Sequence, residues 1–368
     1  MIASRSGGPA TVQHVPTQQL LDPGVDPSGP DDLQDSPRRL GTRSSTPDAV
    51  FRGVIYTAGI LVLVIMLMVG LFLAIRATEA LRVAGFSFLT TSAWDPDGGN
   101  FGIAAVLIGT VLIGLTAISF ALPLALGTAL YISEYAPAGL RRTLINLIDL
   151  MAAVPSVVYG LWGLFLLQPE LLVRGVNGDG IPRFLATYFG WIPIFQVTLD
   201  GQPVDAGSPT TPGSVYASST FIAGIVVALM VAPIACSIMR ESFSQAPLGE
   251  REGAFALGST RWGMIRTVVL PFGAGGIIGG TMLGLGRALG ETIAVFMVIS
   301  VVLAVQPRIL QSGTSSVSSL IALRYGEGSP FAISALMAAG LALFIMTLVV
   351  NFVASGFIAR SRSGAVSE

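Results

Sequence analysis

The chain has 368 residues, of which 52% are hydrophobic and only 11% charged, and its net charge is −1 with a mean hydropathy of +0.75. So few charges cannot solvate a globule of this size, and so much apolar surface exceeds one core, which makes this an integral membrane protein. All 20 basic residues are arginine, so no G-x-x-x-x-G-K-[ST] phosphate loop can exist and any ATP that drives the protein is hydrolysed by another chain.

Residues 1–50 carry seven Pro, five Gly and scattered Asp with hardly an apolar run, which predicts a disordered cytoplasmic tail. The tail has no apolar h-region and is not a secretory signal. Its His14 is the single histidine, which excludes His-based general-base chemistry and Cys/His metal sites. Arg38, Arg39 and Arg43 suit a solvated tail first, with attraction to anionic lipid at about 1 kcal/mol each near a surface as the alternative.

Residues 51–360 then form one all-α transmembrane domain. Six stretches are long enough for a hydrocarbon core of about 30 Å, which takes roughly 20 helical residues. They lie near 54–75, 102–132, 143–167, 217–239, 276–305 and 331–358. Pro123, Pro155 and Pro233 fall inside them and predict kinks. The single Cys236 sits in the fourth, so no intrachain disulfide forms. Asp149, near the cytoplasmic end of the third, reads as a solvated or interfacial carboxylate. Tyr159 and Trp162 read as packing and interfacial anchors.

Arginine asymmetry sets the orientation. With the N-terminus inside, the inner segments hold Arg5, Arg38, Arg39, Arg43, Arg52, Arg141, Arg142, Arg240, Arg251, Arg261, Arg266, Arg360 and Arg362. The outer ones hold Arg76, Arg82, Arg174, Arg183, Arg308 and Arg324, a smaller set that favours N-in and C-in. Residues 168–216 are then a large outer loop enclosing the apolar piece FLATYFGWIPIF, suited to the membrane surface or to an external protein. Trp94, Asp95 and Pro96 are placed to cap the second span or to touch such a protein.

On the inner side, residues 245–271 spell a helix from Pro247 to about Leu257, a C′ stop at Gly258 and a second helical piece ended by Pro271. Read on its own, this is a juxtamembrane loop with surface pairs such as Glu250 and Arg251. The order Glu252, Gly253, Ala254, Gly258, Val268, Leu270, Pro271 resembles the EAA loop of bacterial ABC importer permeases, with Gly253 where Ala is usual and Val268 where Ile is usual. The resemblance implies a type I importer permease whose Glu252, Gly253, Ala254, Gly258, Leu270 and Pro271 dock a separate ATP-binding subunit.

The fifth span reads MLGLGRALGETIAV at 282–295 and carries two charges. At 1.5 Å per residue Arg287 lies about 17 Å along the helix from Gly276, near mid-membrane. Glu291 is four residues on and can pair with it on the same face. An intramembrane charge costs at least ~2.5–3.5 kcal/mol and so marks a partner or a path. Either the pair only fixes packing, or it lines a translocation path. Gly276, Gly280 and Gly284 are spaced as small-xxx-small, so the span faces protein, and arginine's planar fork suits a tetrahedral oxyanion. The two charges sum to zero, so either a partner chain contributes positive charge or the path binds weakly.

GGTMLGLGRALGETIAV, with its R-A-L-G-E, closely resembles the matching helix of phosphate importer permeases of the PstC/PstA type. FLTTSAWDP at 88–96, ALYISEYAP at 129–137 and AVPSVVYGLWGLF at 153–165 resemble the PstC member. The resemblance covers about residues 50–360. It implies a non-catalytic multi-pass subunit of a bacterial plasma membrane that binds no cofactor itself, ATP and Mg residing on a partner. The implied partners are a PstA-like second permease, a PstB-like ATPase dimer and an extracytoplasmic phosphate-binding protein. Arg287 and Glu291 map onto the family's functional Arg and Glu. Hydropathy and charge alone leave open another oxyanion, such as sulfate or molybdate, and an ion-coupled secondary transporter.

Overall fold

Pro47 and Asp48 sit in the first turn of α1 (Thr46–Ala84), the position where a missing N–H is harmless and an acidic side chain meets the positive helix end. The helix therefore begins inside the stretch expected to be tail, a correction of a few residues. The structure is a computed structural model that describes residues 46–174, 180–199, 202–205, 207–208 and 211–362; the tail before Thr46 lies outside the described residues. The chain divides into two compact units, Met1–Leu61 and Val62–Glu368. In the first, Arg52 lies over the Tyr56 ring at 5.5 Å and Thr57 Oγ1 donates to the Gly53 carbonyl. All that follows concerns the second.

α1 ends at Gly85, whose φ of +54° suits a residue without Cβ. α2 (Ser87–Thr90) follows, then a hairpin of β1 (Trp94–Asp95) and β2 (Asn100–Phe101). Asp95 Oδ1 accepts the Gly98 N–H at 3.1 Å, so the Trp94-Asp95-Pro96 stretch builds this turn and does not cap the second span. A second hairpin pairs β3 (Thr198–Leu199) with β4 (Gln202–Pro203) within the 168–216 stretch. These short ladders are the exceptions to the all-α expectation among the described residues.

The centre of the molecule is α3 (Ala104–Leu130), which runs on as a π-helical turn over Tyr131–Tyr135, against α7 (Thr220–Ser244). Ala117, Ala121, Ala125 and Ala129 recur every fourth residue on α3, all almost fully buried, and let α7 approach closely. Pro123 and Pro233 lie inside these helices.

Two other apolar stretches are bent. α4 (Ala138–Ala153) turns by 91° into α5 (Ser156–Trp162) and its π-helical continuation, Gly163–Arg174. The cause is Pro155, which forces Val154 out of the helical region to φ −64°, ψ 129°. The kink expected from Pro155 in the span at 143–167 is thus a full break, and the span is a bent pair of helices. Between the bent pair and α7, α6 (Ile181–Phe189) exposes Phe184, Tyr188 and, just beyond it, Trp191, which is 78% exposed.

After α7, α8 (Leu248–Ala256) precedes α9 (Arg261–Met264), a π-helical turn at Ile265–Val269, and α10 (Leu270–Phe272). A 65° bend at Gly273 then starts α11 (Ala274–Leu289). Pro271 was expected to end this inner helical piece; it lies instead within α10, and the chain turns two residues later. α12 (Ile293–Val298), α13 (Val317–Arg324) and α14 (Pro330–Arg362) complete the order. The fifth stretch therefore is no continuous helix over 276–305: it breaks after Leu289, and Ile299 is extended. Among the described residues four helices are long and apolar enough to cross a membrane alone, and up to six crossings result if each bent pair is one span.

α14 is joined to α1 by Ser334. Its hydroxyl donates to the Arg76 carbonyl at 2.8 Å and accepts the Ala80 N–H at 3.2 Å, inserting itself into one step of the α1 hydrogen-bond ladder. Gly276, Gly280 and Gly284 of α11 make the close helix contact that their spacing predicts, with α7 as the partner. A Cβ on Gly284 would stand 2.6 Å from Val231 Cγ1, one on Gly280 would stand 3.0 Å from the Ala235 carbonyl, and one on Gly276 would overlap Ser242.

Candidate functional site

Glycines hold α11 tightly to α7 along one side, and its last turn carries Arg287. A cation there faces the negative end of the helix and the carbonyls that have no onward partner. Gly290, Glu291 and Thr292 break the helix, and α12 starts at Ile293. Glu291 folds back over this new helix end: its Oε1 accepts the Ala294 N–H at 3.2 Å, the carboxylate lying at the positive end of α12. Its backbone carbonyl accepts the Ser318 hydroxyl at 2.7 Å, and the residue is only 8% exposed.

The break separates the two charges. Arg287 is exposed, Glu291 is buried, and among the described residues no carboxylate lies within ion-pair distance of Arg287. The pairing expected on one helical face fails because i,i+4 geometry requires an unbroken helix through Glu291.

Arg287 instead lines an open cleft of about 660 Å³. Leu73 of α1, Ile234 of α7, Met282, Leu283 and Gly286 of α11, and Gly340, Leu343 and Phe344 of α14 give it apolar walls. Thr347 and Asn351 of α14 add a hydroxyl and an amide. Arg287 is the only ionisable residue among those lining it, so the cleft is a cationic spot in an apolar wall and the charges do not cancel there. The Arg287 guanidinium and the Asn351 amide can donate to an anion, while the Thr347 hydroxyl donates to the Phe344 carbonyl at 2.9 Å, and the small number of donors fits transient residence. The sequence reading missed Thr347 and Asn351; the signal was an amide inside the otherwise apolar 331–358 stretch.

The second cluster lies on the segment between α7 and α11. Gly258 N–H bonds to the Phe255 carbonyl at 2.9 Å and Ser259 N–H to the Ala254 carbonyl at 3.1 Å, the two bonds of a Schellman cap. Gly258 has φ +84°, as that cap requires, and is the C′ stop the sequence predicts. Glu252 and Gly253 are exposed, Ala254 and Leu270 are half-buried against the core, and Pro271 is exposed. Leu257 at 89%, Leu248 at 71% and Trp262 at 57% exposure make the tip of this knob apolar. A Cβ on Gly253 would meet nothing, so the departure from Ala there has no steric cause. Arg251 does not form the surface pair with Glu250; its Nη1 lies 3.1 Å from Glu134 of the π-helical turn. Asp149 is exposed and accepts the Ser237 hydroxyl at 3.2 Å.

Residues 121–363, which contain both clusters, match the family described as "Binding-protein-dependent transport system inner membrane component". This chain belongs to that family. Among related permeases, the phosphate transport system permease protein PstC 2 of Mycobacterium tuberculosis is 37% identical over 319 residues, 86% of this chain and 91% of the relative. PstC of Xylella fastidiosa is 36% identical over 312 residues, 85% and 90% of the two chains. PstC of Mycobacterium leprae is 39% identical over 288 residues, 77% and 84%. The permease fold itself is that of solved ABC importers. A chain of a bacterial alginate ABC transporter, crystallised in complex with an alginate pentasaccharide-bound periplasmic protein, superposes with a TM-score of 0.53 at 16% identity, covering 85% of this chain and 96% of its own length.

Proposed function

We propose that this chain is the PstC-like permease subunit of an ATP-driven phosphate importer in a bacterial plasma membrane. Each bent pair counts as one crossing, which gives six spans with both termini inside. A second, PstA-like permease completes the path, an extracytoplasmic phosphate-binding protein delivers the anion, and a PstB-like ATPase dimer carries ATP and Mg. The chain itself binds no cofactor and catalyses no reaction. Glu252, Gly253, Ala254, Gly258, Leu270 and Pro271 shape the knob whose apolar tip docks the ATPase.

The observation that carries this reading is Arg287, without a carboxylate partner among the described residues, in an apolar cleft inside a binding-protein-dependent permease. Phosphate passes the cleft, held for a moment by the guanidinium, while Glu291 keeps the helix break in shape. Affinity resides in the external protein, and weak binding in the path favours inward release. Phosphate, and not another oxyanion, is supported by the names of the relatives and by R-A-L-G-E at 287–291. Family membership counts against an ion-coupled secondary transporter.

The test is labelled phosphate uptake into proteoliposomes holding this chain, its second permease and its ATPase, with binding protein outside and ATP inside. Uptake that needs ATP and ignores excess sulfate is expected. Uptake blocked by sulfate would replace phosphate with a broader oxyanion, and uptake driven by an ion gradient without ATP would overturn the reading.

A further inference from the structure

The stretch YISEY at 131–135 has no part in the cleft, yet it is where the inner knob is fastened. Glu134 and Tyr135 are consecutive, and each grips a different half of the knob. The Glu134 carboxylate takes Arg251 Nη1 at 3.1 Å on both oxygens, from α8. The Arg261 guanidinium, at the start of α9, lies 5.3 Å from the centre of the Tyr135 ring. Ser133 Oγ donates to Glu134 Oε1 at 2.7 Å and fixes the carboxylate, whose side chain is 4% exposed against 17% for Arg251. The same arginine donates through Nη2 to the carbonyl of Phe243 at the end of α7. Five residues in a π-helical turn make this end of α3 wider than an α-helix, a distortion that recurs at functional positions.

We infer that Glu134 and Tyr135 form a two-point clamp that transmits movement of the ATPase-docking knob to α3, and so to the α3–α7–α11 core that carries Arg287. Both are positioning residues: neither touches substrate or nucleotide. A single contact would let the knob swivel, whereas two contacts on both of its helices oblige α3 to follow it. A buried ion pair in this place serves direction more than stability, because its two charges lose hydration when they meet. The inference rests on the reading of the knob as the ATPase dock.

The experiment uses the full complex in proteoliposomes and reads phosphate uptake per ATP hydrolysed, together with the amount of ATPase that copurifies. Glu134→Gln is expected to retain the ATPase and lower uptake per ATP by about tenfold, the size of a typical coupling between sites. Tyr135→Leu acts in the same direction, while Tyr135→Phe, which keeps the ring, stays near the unsubstituted protein. Glu134→Arg combined with Arg251→Glu restores much of the ratio. Unchanged uptake per ATP in both Glu134→Gln and Tyr135→Leu would overturn the clamp. So would loss of the ATPase from Glu134→Gln with no recovery in the charge swap, which would make the pair a folding contact only. Glu252→Arg separates the two levels: if it leaves substrate-stimulated hydrolysis intact, the knob reading fails; if it abolishes stimulation while Glu134→Gln transports normally per ATP, only the clamp fails.

Discussion

If Glu291 caps α12 and is not the counter-ion of Arg287, substitutions at the two positions alter different properties. Arg287→Gln removes the only ionisable side chain lining the cleft. An oxyanion there loses charge-assisted hydrogen bonds worth about 1.5–3 kcal/mol. At about 1.4 kcal/mol per decade that is roughly 10- to 150-fold in kcat/KM for uptake, with the folded protein unaffected. Glu291→Gln keeps a carbonyl oxygen for the Ala294 N–H now held at 3.2 Å and loses mainly the charge at the helix end. That interaction is worth about 0.3–1 kcal/mol at exposed sites and up to ~2 where buried, so this variant melts earlier and transports nearly normally. The assay is initial uptake across a phosphate range, with thermal unfolding of the same preparations, for both single variants and the double. Without shared partners the losses add to within about 0.5 kcal/mol. Recovery of uptake in the double variant well above Arg287→Gln alone would refute the reasoning, because only a direct pair allows the second substitution to rescue the first.

Packing and cap geometry give further tests. Gly280→Leu drives a side chain into the Ala235 carbonyl and costs about 1–3 kcal/mol or more, read as a lower melting temperature, whereas Gly279→Ala, whose Cβ meets nothing, is tolerated. Gly258→Ala places a Cβ at φ +84°, costing about 1–2 kcal/mol of cap stability and lowering substrate-stimulated ATP hydrolysis; Gly253→Ala leaves that hydrolysis unchanged. Ser334→Ala lets the Arg76 carbonyl and Ala80 N–H of α1 close on each other but loosens α1 from α14, a loss of about 0.6–1.7 kcal/mol in unfolding measurements.

The legible parts of the sequence were those governed by local chemistry. Apolar length marked α1, α3, α7 and α14; the spacing of Gly276, Gly280 and Gly284 foretold a close helix contact, though not that its partner is α7; and Gly258 announced a left-handed stop. Pro155 was recognised as a kink, but a proline predicts only that a helix deviates. The 91° angle depends on what α4 and α5 each pack against, information that no local window contains. Pro271 erred the other way: a π-helical turn just before it widens the backbone and accommodates the ring, so the chain bends at Gly273.

Reading Arg287 and Glu291 as a pair failed for a reason that bears on how the site works. Apolar composition continues through 290–305, so hydropathy shows an uninterrupted span, while the break is made by Gly290 and by a carboxylate that competes for the N–H groups of the next turn. A glutamate in an unbroken helix would neutralise the arginine one turn away. Turned into the protein to cap α12, it leaves the arginine uncompensated and provides a helix end where backbone groups are free to change partners. The residue expected to cancel the charge of Arg287 is therefore turned away from it, and the cation stands at the negative end of α11 with the open cleft before it.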